Sequence, residues 1–145
     1  DFVKVMDQFS LRRDDTAEVK LVETNRDYWN KRATKKTVDI VDELLEILNA
    51  NLDSPQQLNY NKYYIGLNDG LKSRNFVYFK PKKQFTHIYF ELENQGTWVE
   101  KLDELGISAT SSKKNLQVTV SPKQVSQNIE ILAELIKASV EYFNK

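Results

Sequence analysis

The chain has 145 residues, room for one ordinary domain and not for two. Its 21 basic and 21 acidic side chains cancel, so attraction to nucleic acid or to a membrane surface would have to come from local clustering. Hydrophobic residues at 40% suffice for a core, the absence of cysteine excludes disulfides and thiol chemistry and suits a cytoplasmic setting, and no apolar run approaches the roughly 20 residues that span a bilayer.

Residues 1–33 read as a β-rich leader. Phe2, Val3, Val5, Phe9 and Leu11 suggest one strand and Val19, Leu21 and Val22 a second, with a turn at Asp14 and Asp15. A lone hairpin is marginal in water, so the leader is expected to be the tail of an upstream domain. A start at Asp1 without methionine fits a C-terminal piece of a larger protein. Trp29, next to Tyr28, is expected to staple this leader to the domain after it.

Residues 34–145 read as an α+β domain. A basic stretch (Lys31, Arg32, Lys35, Lys36) leads into a helix that Thr34 or Thr37 can cap. Val38, Val41, Leu45, Leu48 and Leu52 form its apolar stripe, and Ser54-Pro55 ends it. Residues 63–67, 76–79 and 85–92 then read as strands, the first closed by Asn68-Asp69-Gly70. The third alternates most clearly, with Ile88, Phe90 and Leu92 on one face and His87, Tyr89 and Glu91 on the other. Residues 98–105 suggest a short helix stopped at Gly106, and residues 116–120 a fourth strand. Ser121-Pro122-Lys123-Gln124 opens a final helix with a capping-box pattern. The expected fold is thus an antiparallel sheet of about four strands with three helices, in the order α-β-β-β-α-β-α behind the hairpin leader.

Little in this pattern supports chemistry. His87 is the only histidine, so soft transition-metal sites and a serine–histidine mechanism have no basis. Glu18-Val19-Lys20 matches the short half of a PD-(D/E)XK nuclease motif, but no strand before it bears the first acid, and such a triplet arises by chance in a chain that is 29% charged. No metal, no cofactor and no catalytic residue is therefore expected. One cluster remains. Lys62, Lys72, Arg74, Lys80, Lys82 and Lys83 fall close together against Asp69 alone, interleaved with Tyr63, Tyr64, Phe76, Tyr78 and Phe79. Basic side chains beside stacking rings can hold a phosphate backbone. Lysines also guard strand edges and alternate aromatics also fill cores, so a nucleic-acid interface and an ordinary solvated edge both stay open. Homodimerisation through the leader strands or an open sheet face is the alternative role.

The stretches at residues 63–67, 74–83 and 116–121, with the closing helix, resemble the C-terminal domain of unknown function of bacterial and archaeal proteins labelled "predicted transport protein", which is similar in element order to the YjbR, double-wing type. A segment bearing glycine and tryptophan in that family is matched only in part, by Gly96-Thr97-Trp98. In longer members the domain follows a PD-(D/E)XK nuclease-like domain. The resemblance implies a non-catalytic accessory domain, with the leader as the tail of that neighbour.

Overall fold

The structure is a computed structural model that describes residues 24–70 and 73–144. The leader hairpin, the Glu18-Val19-Lys20 triplet and Lys72 lie outside the described residues.

The described chain opens with α1 (Arg26–Arg32), capped by Asn25, whose side chain accepts from the Tyr28 amide at 3.0 Å. Seven residues with one strongly apolar position make a weak helix on their own. Burial holds it: Trp29 is 1% exposed and joins the main core, and its indole N–H donates to the Asn61 carbonyl at 3.0 Å. Arg26 adds a clamp, reaching Asp39 at 2.8 Å and Asp42 at 2.5 Å. The following helix, α2 (Lys35–Ala50), starts at Thr34 with a reciprocal capping box to Thr37. Its stripe of Val38, Ile40, Val41, Leu44 and Leu48 is buried.

The strands are β1 (Gln57–Tyr60), β2 (Ile65–Asn68), β3 (Val77–Pro81) and β4 (Thr86–Glu91), then, after α3 (Gln95–Glu104), β5 (Ser108–Ser111) and β6 (Asn115–Val120). They form one antiparallel sheet in the order β1-β2-β3-β4-β6-β5. Among the described residues the sheet thus has six strands where about four were expected. The two extra are outer strands of four residues: Gln-Leu-Asn-Tyr alternates only through Leu58 and Tyr60, too short a run to stand out, and Ser-Ala-Thr-Ser has Ala109 as its one apolar residue. Pairing to a neighbour, not their own composition, makes them strands.

Helices also exceed the expected three, since the described residues hold five. The segment Arg26–Arg32 forms α1, the basic stretch being divided between its end and the start of α2, and the closing helix breaks into α4 (Pro122–Gln127) and α5 (Ile129–Phe143). The break falls at Asn128, whose side-chain amide donates to the Gln124 carbonyl at 3.1 Å in competition with the helical backbone. The Ser121–Gln124 capping box forms as its spacing indicates, and Gly106 takes a positive φ of 75° at the end of α3.

Among the described residues the helices cover one face of the sheet and leave the other open. Val77, Phe79, Ile88, Phe90, Leu116 and Val118 pack with α2 and α5 into the core. Tyr78, Lys80, His87, Tyr89, Gln117 and Thr119 alternate with them and form the open face. Gly66 is a point of close approach, because a Cβ there would collide with Asn75 Oδ1, the acceptor of the Leu67 amide at 3.0 Å.

Two substitutions test this packing by urea denaturation. Trp29→Ala is expected to lose about 3–5 kcal/mol, and a loss below about 1 kcal/mol would place α1 outside the cooperative core. Gly66→Ala is expected to lose about 1–3 kcal/mol through overpacking, and an unchanged midpoint would contradict the close approach.

Candidate functional site

Helix α1 and the start of α2 organise one end of the sheet. On one side, the Tyr28 hydroxyl and Arg32 Nη1 donate to the Lys62 carbonyl at 2.8 and 3.0 Å, fixing the β1–β2 turn. On the other, the Thr37 hydroxyl donates to the Lys82 carbonyl at 2.7 Å, and the buried Thr86 hydroxyl donates back to the Thr37 carbonyl at 2.7 Å, fixing the β3–β4 turn. Lys83 Nζ donates to the Lys31 carbonyl at 3.1 Å. Carbonyls that would otherwise point into water are thereby anchored, and both turns present their side chains outward.

Four of the six basic residues singled out from the sequence meet at this end. Lys62 lies on the β1–β2 turn, Lys82 and Lys83 on the β3–β4 turn, and Lys80 on the open face above them. Arg74 lies at the opposite end of the sheet, where its Nε donates to Asp69 Oδ2 at 2.9 Å and its guanidinium covers the Phe143 ring at 5.6 Å. Lys72 lies outside the described residues. Sequence reasoning left out Arg32, which sits between the two turns with its guanidinium 5.4 Å from the Trp29 ring and 5.7 Å from the Tyr63 ring. The signal was the basic stretch at 31–36, which looks like a solvated helix entry until α1 folds back on the turns.

Exposed rings accompany the cations. Tyr63 is 62% exposed and Phe85 36% exposed. Arg32, Pro81, Lys82, Lys83, Gln84 and Phe85 line a concavity of about 390 Å³, and among the described residues its lining has three cationic side chains and no carboxylate. From Phe85 a chain of rings crosses the open face. Phe85 meets His87 at 5.1 Å, His87 meets Tyr89 at 6.4 Å, and Tyr89 stacks on Tyr78 at 4.5 Å. Tyr64 closes the series edge-on to Tyr78 at 5.5 Å, and Lys80 Nζ lies 5.2 Å above the Tyr89 ring.

Burial pushes the Tyr78 and Tyr89 hydroxyls above their ordinary pKa. His87 Nδ1 lies 2.8 Å from Thr119 Oγ1 and 3.1 Å from Gln117 Nε2. The Gln117 amide nitrogen can only donate, so Nδ1 accepts from it and Nε2 holds the proton. Burial, followed by the cations Lys82 and Lys80, lowers the His87 pKa. Among the described residues no group of three or more His, Asp or Glu side chains gathers in a way that would hold a metal ion, and no helix is long and apolar enough to cross a membrane.

No family model matches the chain, and neither a curated protein nor a solved structure is significantly similar to it.

The lowered His87 pKa has a signed consequence. Below the ordinary value of 6.5 the unfolded chain takes up a proton that the folded chain refuses, so stability falls as pH drops through 6.5 and is fully present above it. Thermal melting between about pH 5 and 8 should show this slope, and His87→Gln should flatten it. Identical slopes in the two proteins would contradict the assignment.

Proposed function

We propose that the chain is a non-catalytic accessory module that contacts nucleic acid through the basic end of its sheet. The observation behind this reading is the gathering of Arg32, Lys62, Lys80, Lys82 and Lys83 at one end of the sheet beside the exposed rings of Tyr63 and Phe85, with Arg32, Lys82 and Lys83 lining a concavity that has no carboxylate among the described residues. In a chain of zero formal charge, such segregation supplies the local field that the whole molecule lacks. Phosphate contacts by lysine and arginine give affinity without sequence selection, which suits a module that positions a partner domain. The resemblance at residues 63–67, 74–83 and 116–121 makes a PD-(D/E)XK nuclease-like domain of a parent protein the proposed partner.

Fluorescence anisotropy with labelled oligonucleotides, single-stranded and duplex, tests the reading across a salt series. Binding should weaken steeply with salt, and Lys82→Glu/Lys83→Glu should lower affinity at least about tenfold and make the salt dependence shallower by about two counterions. Arg74→Ala, at the far end and already paired with Asp69, should bind like the parent chain. Absence of any complex at low salt with either oligonucleotide would contradict the reading.

Self-association is the second reading, favoured by β5. It is the outermost described strand beside β6 and has no charged residue to discourage edge pairing. Light scattering separates the two: a dimer that Thr110→Pro converts to monomer supports edge pairing, and a monomer before substitution contradicts it.

A further inference from the structure

The concavity between the end of α1 and the β3–β4 turn has the shape and chemistry of a seat for one base. Its volume of about 390 Å³ falls in the range of small-ligand sites, roughly 300–1,000 Å³. Pro81 and Phe85 supply apolar surface, while Arg32, Lys82 and Lys83 stand around it. Arg32 is held in place before any ligand arrives: its Nη1 donates to Lys62 O and Tyr28 Oη, and its Cζ lies 5.4 Å from the Trp29 ring centroid and 5.7 Å from that of Tyr63. A guanidinium so fixed loses little freedom on binding a phosphate or stacking on a base. Phe85 also begins the ring series through His87 to Tyr89, so a strand leaving the concavity along the open face would meet aromatic edges and the Lys80 ammonium.

This arrangement discriminates between nucleic-acid forms. Bases in a duplex are paired and stacked, and extruding one costs a few kcal/mol. A single strand offers unpaired bases whose faces can stack on protein rings. We propose that the chain selects single-stranded nucleic acid by seating one unpaired base against Phe85 and Pro81, with its neighbouring phosphates on Lys82, Lys83 and Arg32. The inference rests on the nucleic-acid reading above and adds to it the form of the ligand and the residue that senses it. Phe85 is the specificity residue, and the lysines supply affinity that either form can use.

The test measures binding of the 145-residue chain to a labelled single strand of about 12 nucleotides and to the blunt duplex of the same sequence. The parent chain should prefer the single strand at least about tenfold. Phe85→Ala should lose about tenfold for the single strand and little for the duplex, and Phe85→Trp should restore the preference because a larger ring still stacks. The Phe85 ring is partly exposed, so the folded state should persist in both variants, which their melting curves would verify. Equal affinity of the parent for both forms, or single-strand binding unchanged in Phe85→Ala, would overturn the base seat while leaving the phosphate contacts standing. Failure of the parent to bind either form would overturn the nucleic-acid reading and this inference with it.

Discussion

The basic end of the molecule depends on hydrogen bonds from α1 and the first turn of α2 to the backbone of two β-turns. Lys62, Lys82 and Lys83 stand on turns whose carbonyl oxygens are held by Tyr28, Arg32 and Thr37. Like charges drawn together repel, and surface lysines left to themselves would spread. Anchoring the turns through their backbone carbonyls brings the cations close, with Lys83 Nζ held in addition by the Lys31 carbonyl at 3.1 Å and Arg32 by the Lys62 carbonyl at 3.0 Å. Trp29 makes the arrangement rigid, because its ring is buried in the core while its N–H reaches the same β-turn.

The second constraint is the alternation of the central strands. The period of two that places Phe79, Ile88 and Phe90 under α2 and α5 sends Tyr78, His87 and Tyr89 to the other face. These rings satisfy one another across strands, with Tyr78 opposite Tyr89 in register and stacked within 7° of parallel. Polar groups anchor their edges: Asn115 donates to the Tyr78 hydroxyl at 3.2 Å, and Thr119 and Gln117 hold His87. An open face of this kind is stable in water and still offers aromatic surface and hydrogen-bond donors to a ligand. Its polarity runs from Lys80 and Lys82 at one end to Glu91 at the other, which favours an anionic ligand entering at the basic end.

Much of the fold was legible in the sequence because its central elements follow strong local rules. The α2 stripe, the split of Ile88 and Phe90 from His87 and Tyr89, and the Ser121–Gln124 cap all rest on periodicity or on a short-range hydrogen bond. The outer strands and α1 were not legible, since Ser-Ala-Thr-Ser and a seven-residue helix around Trp29 are fixed by partners distant in the chain. The same limit applied to the site. Proximity in sequence grouped Arg74 with Lys82, although the sheet puts them at opposite ends, and it separated Arg32 from Lys62, 30 residues apart and joined by one hydrogen bond. Sequence clustering detected the charge, but only the hairpin topology shows which charges share a surface.

Backbone amide shifts followed by NMR during titration with an unlabelled single strand test whether the two anchored turns form the binding surface. Binding there predicts perturbations confined to residues 31–34, 62–64 and 80–89, with Tyr78 and Gln117 following at higher occupancy and α5 unaffected. Perturbations centred on α5 or on the Arg74–Phe143 end, with the two anchored turns silent, would contradict it.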